Sequence, residues 1–79
     1  MHHAIDERLL ALVRHELGLP DEPLAHDTRI DALGSSLDWV NLLCALEDSF
    51  GIVVDPADEA GVGTVADLMA LVQRASASG

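Results

Sequence analysis

The chain of 79 residues suits one small domain over residues 1–79, and its core must be aliphatic because it has only one Phe and one Trp. The chain has fourteen acidic residues, four arginines and no lysine, which gives a net charge of −10. This charge argues against nucleic acid or an anionic membrane as a partner, since phosphate would be repelled, and it favours basic protein surfaces.

The cysteine content and the first residues indicate the compartment. Cys44 is the single cysteine, so no internal disulfide can form and a reducing environment is indicated. The first residues lack the charged start and apolar run of a signal peptide. No apolar stretch approaches the roughly 20 residues that cross a bilayer. We therefore expect a cytoplasmic protein that does not enter a membrane. We also expect it to be a monomer.

The first predicted element is a helix from about Ala4 to Leu17, with Asp6 and Glu7 in its first turn and Gly18 as its stop. Its apolar face recurs at helical spacing and comprises Ile5, Leu9, Leu12, Val13 and Leu17. From residue 18 to residue 35 the apolar residues follow no helical or strand periodicity, which predicts a long loop. We expect this loop to be ordered over the bundle by three apolar side chains: Leu24, Ile30 and Leu33.

The second predicted helix begins near Ser36 and ends near Phe50, with Gly51 as its stop. Its inward stripe comprises Trp39, Leu42 or Leu43, Leu46 and Phe50, and a flanking apolar line comprises Leu37, Val40 and Cys44. A helix that is apolar on more than one face is deeply buried or presents part of itself to a partner. We expect the Cys44 thiol to be buried and structural, because no base accompanies it at a defined spacing.

The last third of the chain predicts two more helices. Ile52–Val54 is too isolated for a sheet and is expected to be an extended packing segment. Asp55 and Pro56 are typical of the N-cap and first residue of a short helix through Glu59. Thr64, with Asp67 three residues on, starts a final helix whose apolar face comprises Val65, Leu68, Met69, Leu71 and Val72. The tail from about residue 75 is expected to be disordered. The fold class is therefore all-α, a small four-helix bundle with a short third helix.

Two interpretations of Ser36 are open from the residues alone. Its hydroxyl would either cap the second helix or be offered to another enzyme, and Ser35 is a second candidate for the cap. A phosphate ester at this position would gain from the unpaired N–H groups and the dipole of the helix N-terminus. The carboxylate of Asp38 would repel the same phosphate.

The segment LGSSLDWVNLLCALEDSFGI, residues 33–52, resembles the modification site of acyl carrier proteins. Their usual pattern is L-G-x-D-S-L-x-x-V-x-L-x-x-x-L-E-x-x-F-G-I. The residues that carry the resemblance are Leu33-Gly34, Ser36-Leu37-Asp38, Val40, Leu42, Ala45-Leu46-Glu47 and Phe50-Gly51-Ile52. It extends more loosely to Asp27 and to Thr64–Leu68.

The resemblance implies an acyl-carrier-like bundle and a carrier, not an enzyme. Ser36 would receive 4′-phosphopantetheine from a phosphopantetheinyl transferase, with Mg²⁺ needed only during the transfer. The thiol of that arm would hold acyl intermediates as thioesters for fatty-acid or polyketide-type biosynthesis. The transferase would bind one surface of the carrier, and so would acyl-loading and chain-processing enzymes, whose own surfaces are basic. That surface would comprise Leu37, Asp38, Trp39, Val40, Glu47 and Asp48. The residues themselves indicate no catalytic set and no metal site.

The sequence departs from the family pattern before the serine. Only Ser35 separates Gly34 from Ser36, where the family has two residues, the second normally an Asp that helps the transferase engage. Ser36 is preferred over Ser35 because Leu37 and Asp38 fix the register. Two other hypotheses stay open: a peptidyl or aminoacyl carrier of a nonribosomal pathway, and a non-carrier acidic adaptor with the same fold that lacks the arm. Trp39 is expected to pack in or beside the core, or to anchor a partner if it is exposed.

Overall fold

The computed structural model describes the backbone of residues 2–78 and the side-chain surroundings of residues 6–76. Four α-helices make up most of this range: α1 (His2–Leu17), α2 (Ser36–Phe50), α3 (Pro56–Ala60) and α4 (Val65–Ser78). A single 3-10 turn, Ile30–Ala32, lies in the loop between α1 and α2. The predicted all-α bundle with a short third helix and a long first loop is confirmed.

Helix α1 begins two residues before the predicted start, so Asp6 and Glu7 do not lie in its first turn and that prediction was wrong. It ends where predicted, because Gly18 adopts a left-handed conformation with φ 65°. Leu9 and Val13 are fully buried, as the helical spacing predicted. Ile5 lies outside the residues whose side-chain surroundings are described.

The core is aliphatic and draws on α1, α2, α4 and the segment that follows α2. Its buried side chains are Leu9, Val13, Leu42, Leu43, Leu46, Ile52, Val65, Leu68, Met69, Leu71 and Val72. Trp39 and Phe50 are only partly buried and pack against the edge of this cluster. Helix α3 contributes no buried side chain, and none of its residues is among the partly buried hydrophobic side chains that pack against this core.

The loop between α1 and α2 is ordered, as predicted, because Leu19, Leu24, Ile30 and Leu33 pack against the core. Backbone hydrogen bonds also join it to the start of α4. The amide of Ile30 donates to the carbonyl of Gly63 at 2.9 Å, and the amide of Val65 donates to the carbonyl of Thr28 at 2.9 Å. Between them, Arg29 and Thr64 form an isolated antiparallel bridge. The sequence pattern did not predict this pairing.

The segment after α2 is extended and alternates, with Ile52 buried and Val53 81% exposed. Asp55 occupies the N-cap of α3 and Pro56 its first position, as predicted, although the Asp55 side chain makes no capping hydrogen bond. Helix α4 continues through Ser78, beyond the point at which the sequence predicts a disordered tail, and Ala75 packs against the core. Gly79 lies outside the described residues.

Candidate functional site

Ser35 caps α2 through a reciprocal pair of hydrogen bonds with Asp38. The Ser35 hydroxyl oxygen accepts from the Asp38 amide at 3.2 Å, and the Asp38 carboxylate oxygen Oδ2 accepts from the Ser35 amide at 2.9 Å. The Ser35 hydroxyl also lies 3.1 Å from the same carboxylate oxygen, to which it donates. This is a capping box with an aspartate in place of the usual glutamate. The cap is therefore made by Ser35 and not by Ser36.

Gly34 is the residue that lets the Asp38 side chain fold back over this cap. A Cβ atom at position 34 would lie 2.7 Å from Oδ2 of Asp38 and 3.0 Å from its Cβ. Real Cβ atoms essentially never approach that closely, so any larger residue would displace the carboxylate. The absence of a side chain at position 34 thus keeps the capping box intact.

Ser36 is the first residue of α2 and is exposed. Its hydroxyl forms no hydrogen bond with any residue that the structure describes. The amides of Ser36 and Leu37 belong to the first turn of the helix, where the chain itself offers no acceptor. Of the two interpretations that the sequence left open for Ser36, the geometry favours a hydroxyl available to another molecule.

Ser36 borders an open groove with a volume of about 240 Å³. The groove is formed by the 3-10 turn, the start of α2 and the loop before α4, and its other lining residues are Arg29, Ile30, Asp31, Gly34, Ser35, Trp39, Val62 and Gly63. Arg29 is the one cation among them. The groove thus brings together the serine Ser36, the positively charged Arg29 and the indole side chain of Trp39.

Trp39 is half-buried and ties α2 to α3. Its indole Nε1 donates to the carboxylate oxygen Oε1 of Glu59 at 3.3 Å, and its ring packs against the core. The expectation of a residue packed in or beside the core is confirmed. Sequence reasoning did not find Glu59 as its partner, because nothing local relates two residues on different helices.

The outer face of α2 carries the flanking apolar line. Leu37 is 68% exposed, Val40 is 51% exposed, and Cys44 is also exposed. The prediction of a buried Cys44 was wrong. The stripe of Leu42, Leu43 and Leu46 already fills the interface with the core, which turns the Cys44 side of the helix outward.

The three acids assigned to the surface of α2 differ in their surroundings. Glu47 is half-buried, and its Oε2 accepts from the Val54 amide at 3.0 Å, which holds the extended segment against the helix. Asp38 is half-buried in the capping box. Asp48 is exposed. Two of these carboxylates therefore also serve the fold.

The start of α4 has a second capping box, as predicted. Oδ2 of Asp67 accepts from the amides of Gly63 at 3.0 Å and Thr64 at 3.1 Å, and the Thr64 hydroxyl accepts from the Asp67 amide at 3.3 Å. The hydrogen bonds from Gly63 and Thr64 lower the pKa of Asp67, and the positive charge of Arg29 adds to this.

Among the described residues, no three His, Cys, Asp or Glu side chains are grouped so that they could hold a metal ion. Within the same part of the chain, no helix is both long and apolar enough to span a bilayer.

Comparison with known proteins identifies the family. A family model for the phosphopantetheine attachment site matches residues 7–72. An acyl carrier protein from Thermotoga maritima is 31% identical over 72 residues, which cover 89% of each chain. One from Saccharopolyspora erythraea is 38% identical over 69 residues, 85% of this chain and 73% of the other. The chain belongs to the acyl carrier protein family.

Other relatives and a solved structure agree with this assignment. A chloroplastic acyl carrier protein from Casuarina glauca is 33% identical over 70 residues, and this carrier spans 52% of its length. The chain thus spans about half the length of such chloroplastic relatives. A crystal structure of an acyl carrier protein from Thermotoga maritima superposes with a TM-score of 0.80 at 22% identity, over 99% of this chain and 98% of that one. The bundle described above is therefore the acyl carrier fold.

Proposed function

We propose that this protein carries acyl intermediates as thioesters on a 4′-phosphopantetheine arm joined to Ser36 Oγ, for fatty-acid or polyketide-type biosynthesis in the cytoplasm. The observation that carries the proposal is the exposed Ser36 hydroxyl, which makes no hydrogen bond with the described residues because Ser35 fills the cap. A serine in this state is free to be esterified without loss of the helix start.

The surroundings of Ser36 fit a phosphate ester. The first-turn amides of Ser36 and Leu37 and the dipole of α2 favour a negative charge at this end of the helix. The groove is open to solvent, and the exposed Ser36 is one of its lining residues. Asp38 was expected to repel a phosphate, but its carboxylate accepts hydrogen bonds from the Ser35 amide and hydroxyl, which disperse its charge.

The chemistry of attachment requires one nucleophile from this chain. Ser36 Oγ forms a bond to the phosphorus of coenzyme A that bears the pantetheine, the P–O bond to 3′,5′-ADP breaks, and the hydroxyl proton is released. The transferase, with Mg²⁺ used only in this step, supplies the catalysis. When bound, the arm supplies a terminal thiol that holds acyl groups as thioesters. The chain itself acts as a tethered substrate for its partner enzymes.

We assign partner docking to the outer face of α2. Leu37 and Val40 supply exposed apolar area beside Ser36, and Asp48 supplies an exposed charge. Asp38, Trp39 and Glu47 belong to this surface as the residues that shape it, since each is held by a hydrogen bond within the fold. Basic surfaces on the transferase and on acyl-loading enzymes would be attracted by the net charge of −10.

The proposal is tested by incubating the protein with coenzyme A and a broad-specificity transferase and weighing it intact. We expect the wild type and Ser35→Ala to gain one arm and Ser36→Ala to gain none. Urea unfolding supplies the matched control. Ser35→Ala should lose about 1 kcal/mol of stability with its cap, whereas Ser36→Ala should stay within about 0.5 kcal/mol of the wild type.

Two outcomes would contradict the proposal. A wild-type protein that gains no arm with any transferase would instead support the acidic adaptor. A loaded protein that accepts amino acids but not acyl groups from their activating enzymes would support the peptidyl or aminoacyl carrier.

A further inference from the structure

Arg29 differs from the other arginines of the chain because it lines the groove beside Ser36. The chain has four arginines against 14 acids, and of the described residues that line the groove beside Ser36, Arg29 alone is cationic. A phosphate on Ser36 would therefore enter a strongly acidic molecule at a groove that holds a positive charge.

The backbone on both sides of Arg29 is fixed against the loop before α4. Arg29 pairs with Thr64 in the isolated bridge, and the neighbouring amide of Ile30 donates to the Gly63 carbonyl at 2.9 Å. The guanidinium then lies over Gly63, since a Cβ atom there would be 2.8 Å from Nη1 of Arg29. The absence of a side chain at position 63 leaves the space that the guanidinium occupies in the groove wall.

The present partners of Arg29 leave most of its hydrogen-bonding capacity unused. Its Nε lies 3.5 Å from Oδ1 of Asp31, in a pair whose side chains are 62% and 76% exposed. Exposed pairs of this kind contribute little to stability. The guanidinium has five N–H donors, and its terminal amino groups form no hydrogen bond with any described residue.

We propose that Arg29 binds the phosphate of the arm attached to Ser36 and so fixes the root of the arm in the groove. The inference rests on the proposed function of Ser36. A guanidinium and a phosphate form charge-assisted, often bidentate hydrogen bonds that are stronger than a pair with an exposed carboxylate. The phosphate would take the place of Asp31 as the principal partner of Arg29. Together with the N-terminus of α2, it would be held from two walls of the groove.

The test uses the loaded protein and ³¹P NMR of its phosphodiester. Salt is raised from about 0.01 M to about 1 M, over which the screening length falls from about 30 Å to about 3 Å. We expect the ³¹P shift of the loaded wild type to move with salt as the contact weakens. Loaded Arg29→Gln should show at all salt concentrations the shift that the wild type reaches at high salt, and Arg29→Lys should lie between them.

The matched control is Arg14→Gln, which removes an arginine that also pairs with an exposed acid. Arg14 lies 3.7 Å from Asp21 and does not line the groove, so its loss should leave the ³¹P response of the wild type intact. The wild type gives a second readout that needs no variant: the ¹H–¹⁵N signal of Arg29 Nε should move when the arm is added.

The outcomes separate this inference from the proposed function. Suppose that mass shows full loading. An unmoved Arg29 Nε signal, or a ³¹P response to salt in Arg29→Gln equal to that of the wild type, would then overturn the role of Arg29 but not the proposed function. A wild-type protein that gains no arm would overturn both. If Arg29→Gln does not fold, Arg29→Lys and the wild-type Nε signal decide the question.

Discussion

Two adjacent serines at the start of α2 differ in their hydrogen bonds because they stand one position apart in the helix. The N-cap hydroxyl can reach the amide three residues on, so Ser35 bonds to Asp38, whereas the hydroxyl of Ser36 projects from the first turn. The sequence predicted both serines as candidates and preferred Ser36 for modification. It could not decide between them on physical grounds, because the uncertainty of a helix boundary is as large as the distance that separates them.

Gly34 gives a prediction at the scale of a single Cβ atom. Gly34→Ala would place that atom 2.7 Å from Oδ2 of Asp38 and push the carboxylate off the Ser35 amide. We expect the free energy of unfolding in urea, followed by circular dichroism, to fall by about 1–2 kcal/mol, as for the loss of a helix cap.

Gly61→Ala is the matched control for this change. A Cβ atom at position 61 would lie 3.5 Å from the Asp58 carbonyl oxygen, an ordinary contact, at a φ of −85° that alanine readily adopts. Its effect should be neutral or stabilising by about 0.4–1 kcal/mol. Equal stabilities for the two variants would show that Gly34 has no part in the cap.

Among the elements, α3 depends most on contacts made at its surface. It spans five residues, too few to be stable alone, and has no buried side chain. The hydrogen bond from Trp39 to Glu59 joins it to α2. An element held in this way is expected to open more readily than the helices that supply the core.

Glu59→Ala tests this link. Loss of the indole partner should cost about 0.5–1.5 kcal/mol, shift the emission of the single Trp and speed hydrogen exchange in α3 more than in α4. Asp58→Ala on the same helix is the control, since Asp58 is exposed and the Trp39 indole donates to Glu59 and not to Asp58. Identical emission and exchange in the two variants would show that the bond does not hold α3.

The start of α4 gives a prediction about pH. Hydrogen bonds from Gly63 and Thr64 lower the pKa of Asp67 in the folded state, so the unfolded chain takes up a proton there at a higher pH than the folded one. The resulting stability is present above the ordinary pKa of an aspartate and is lost as the pH falls through the lowered value.

Asp67→Asn should therefore be less stable than the wild type at neutral pH, and it should lose less stability on acidification. Urea midpoints measured from neutral to strongly acidic pH give the comparison. Asp58→Asn, which removes an exposed carboxylate outside any capping box, should keep the acid dependence of the wild type. A parallel decline in Asp67→Asn would contradict the assignment.

At the scale of the whole molecule, the sequence predicted what depends on neighbours along the chain. Helical spacing predicted the three longer helices. Gly18 and Gly51 marked where α1 and α2 end, and Pro56 and Thr64 marked where α3 and α4 begin. Contacts between distant segments were missed, among them the bridge of Arg29 with Thr64. Cys44 was misplaced because its helix is apolar on two sides, and only the packed bundle decides which of them faces inward.

The net charge of −10 predicts how the whole bundle responds to ions. Like charges repel one another in the folded state, and salt screens that repulsion. We expect the midpoint of thermal unfolding to rise with NaCl, and to rise further with MgCl₂ at the same ionic strength, because a divalent cation associates more strongly with carboxylates. A midpoint that is unchanged by both salts would exclude self-repulsion as a significant cost.

The cap at Ser35 has a consequence for the life cycle of the carrier. A form modified at Ser36 would begin α2 in the same way as the unmodified one, because the oxygen that would be esterified takes no part in starting the helix. The transferase would thus act on an already folded chain, and later removal of the prosthetic group would leave a protein ready to be charged again. Maturation and turnover of this carrier would then proceed without any refolding.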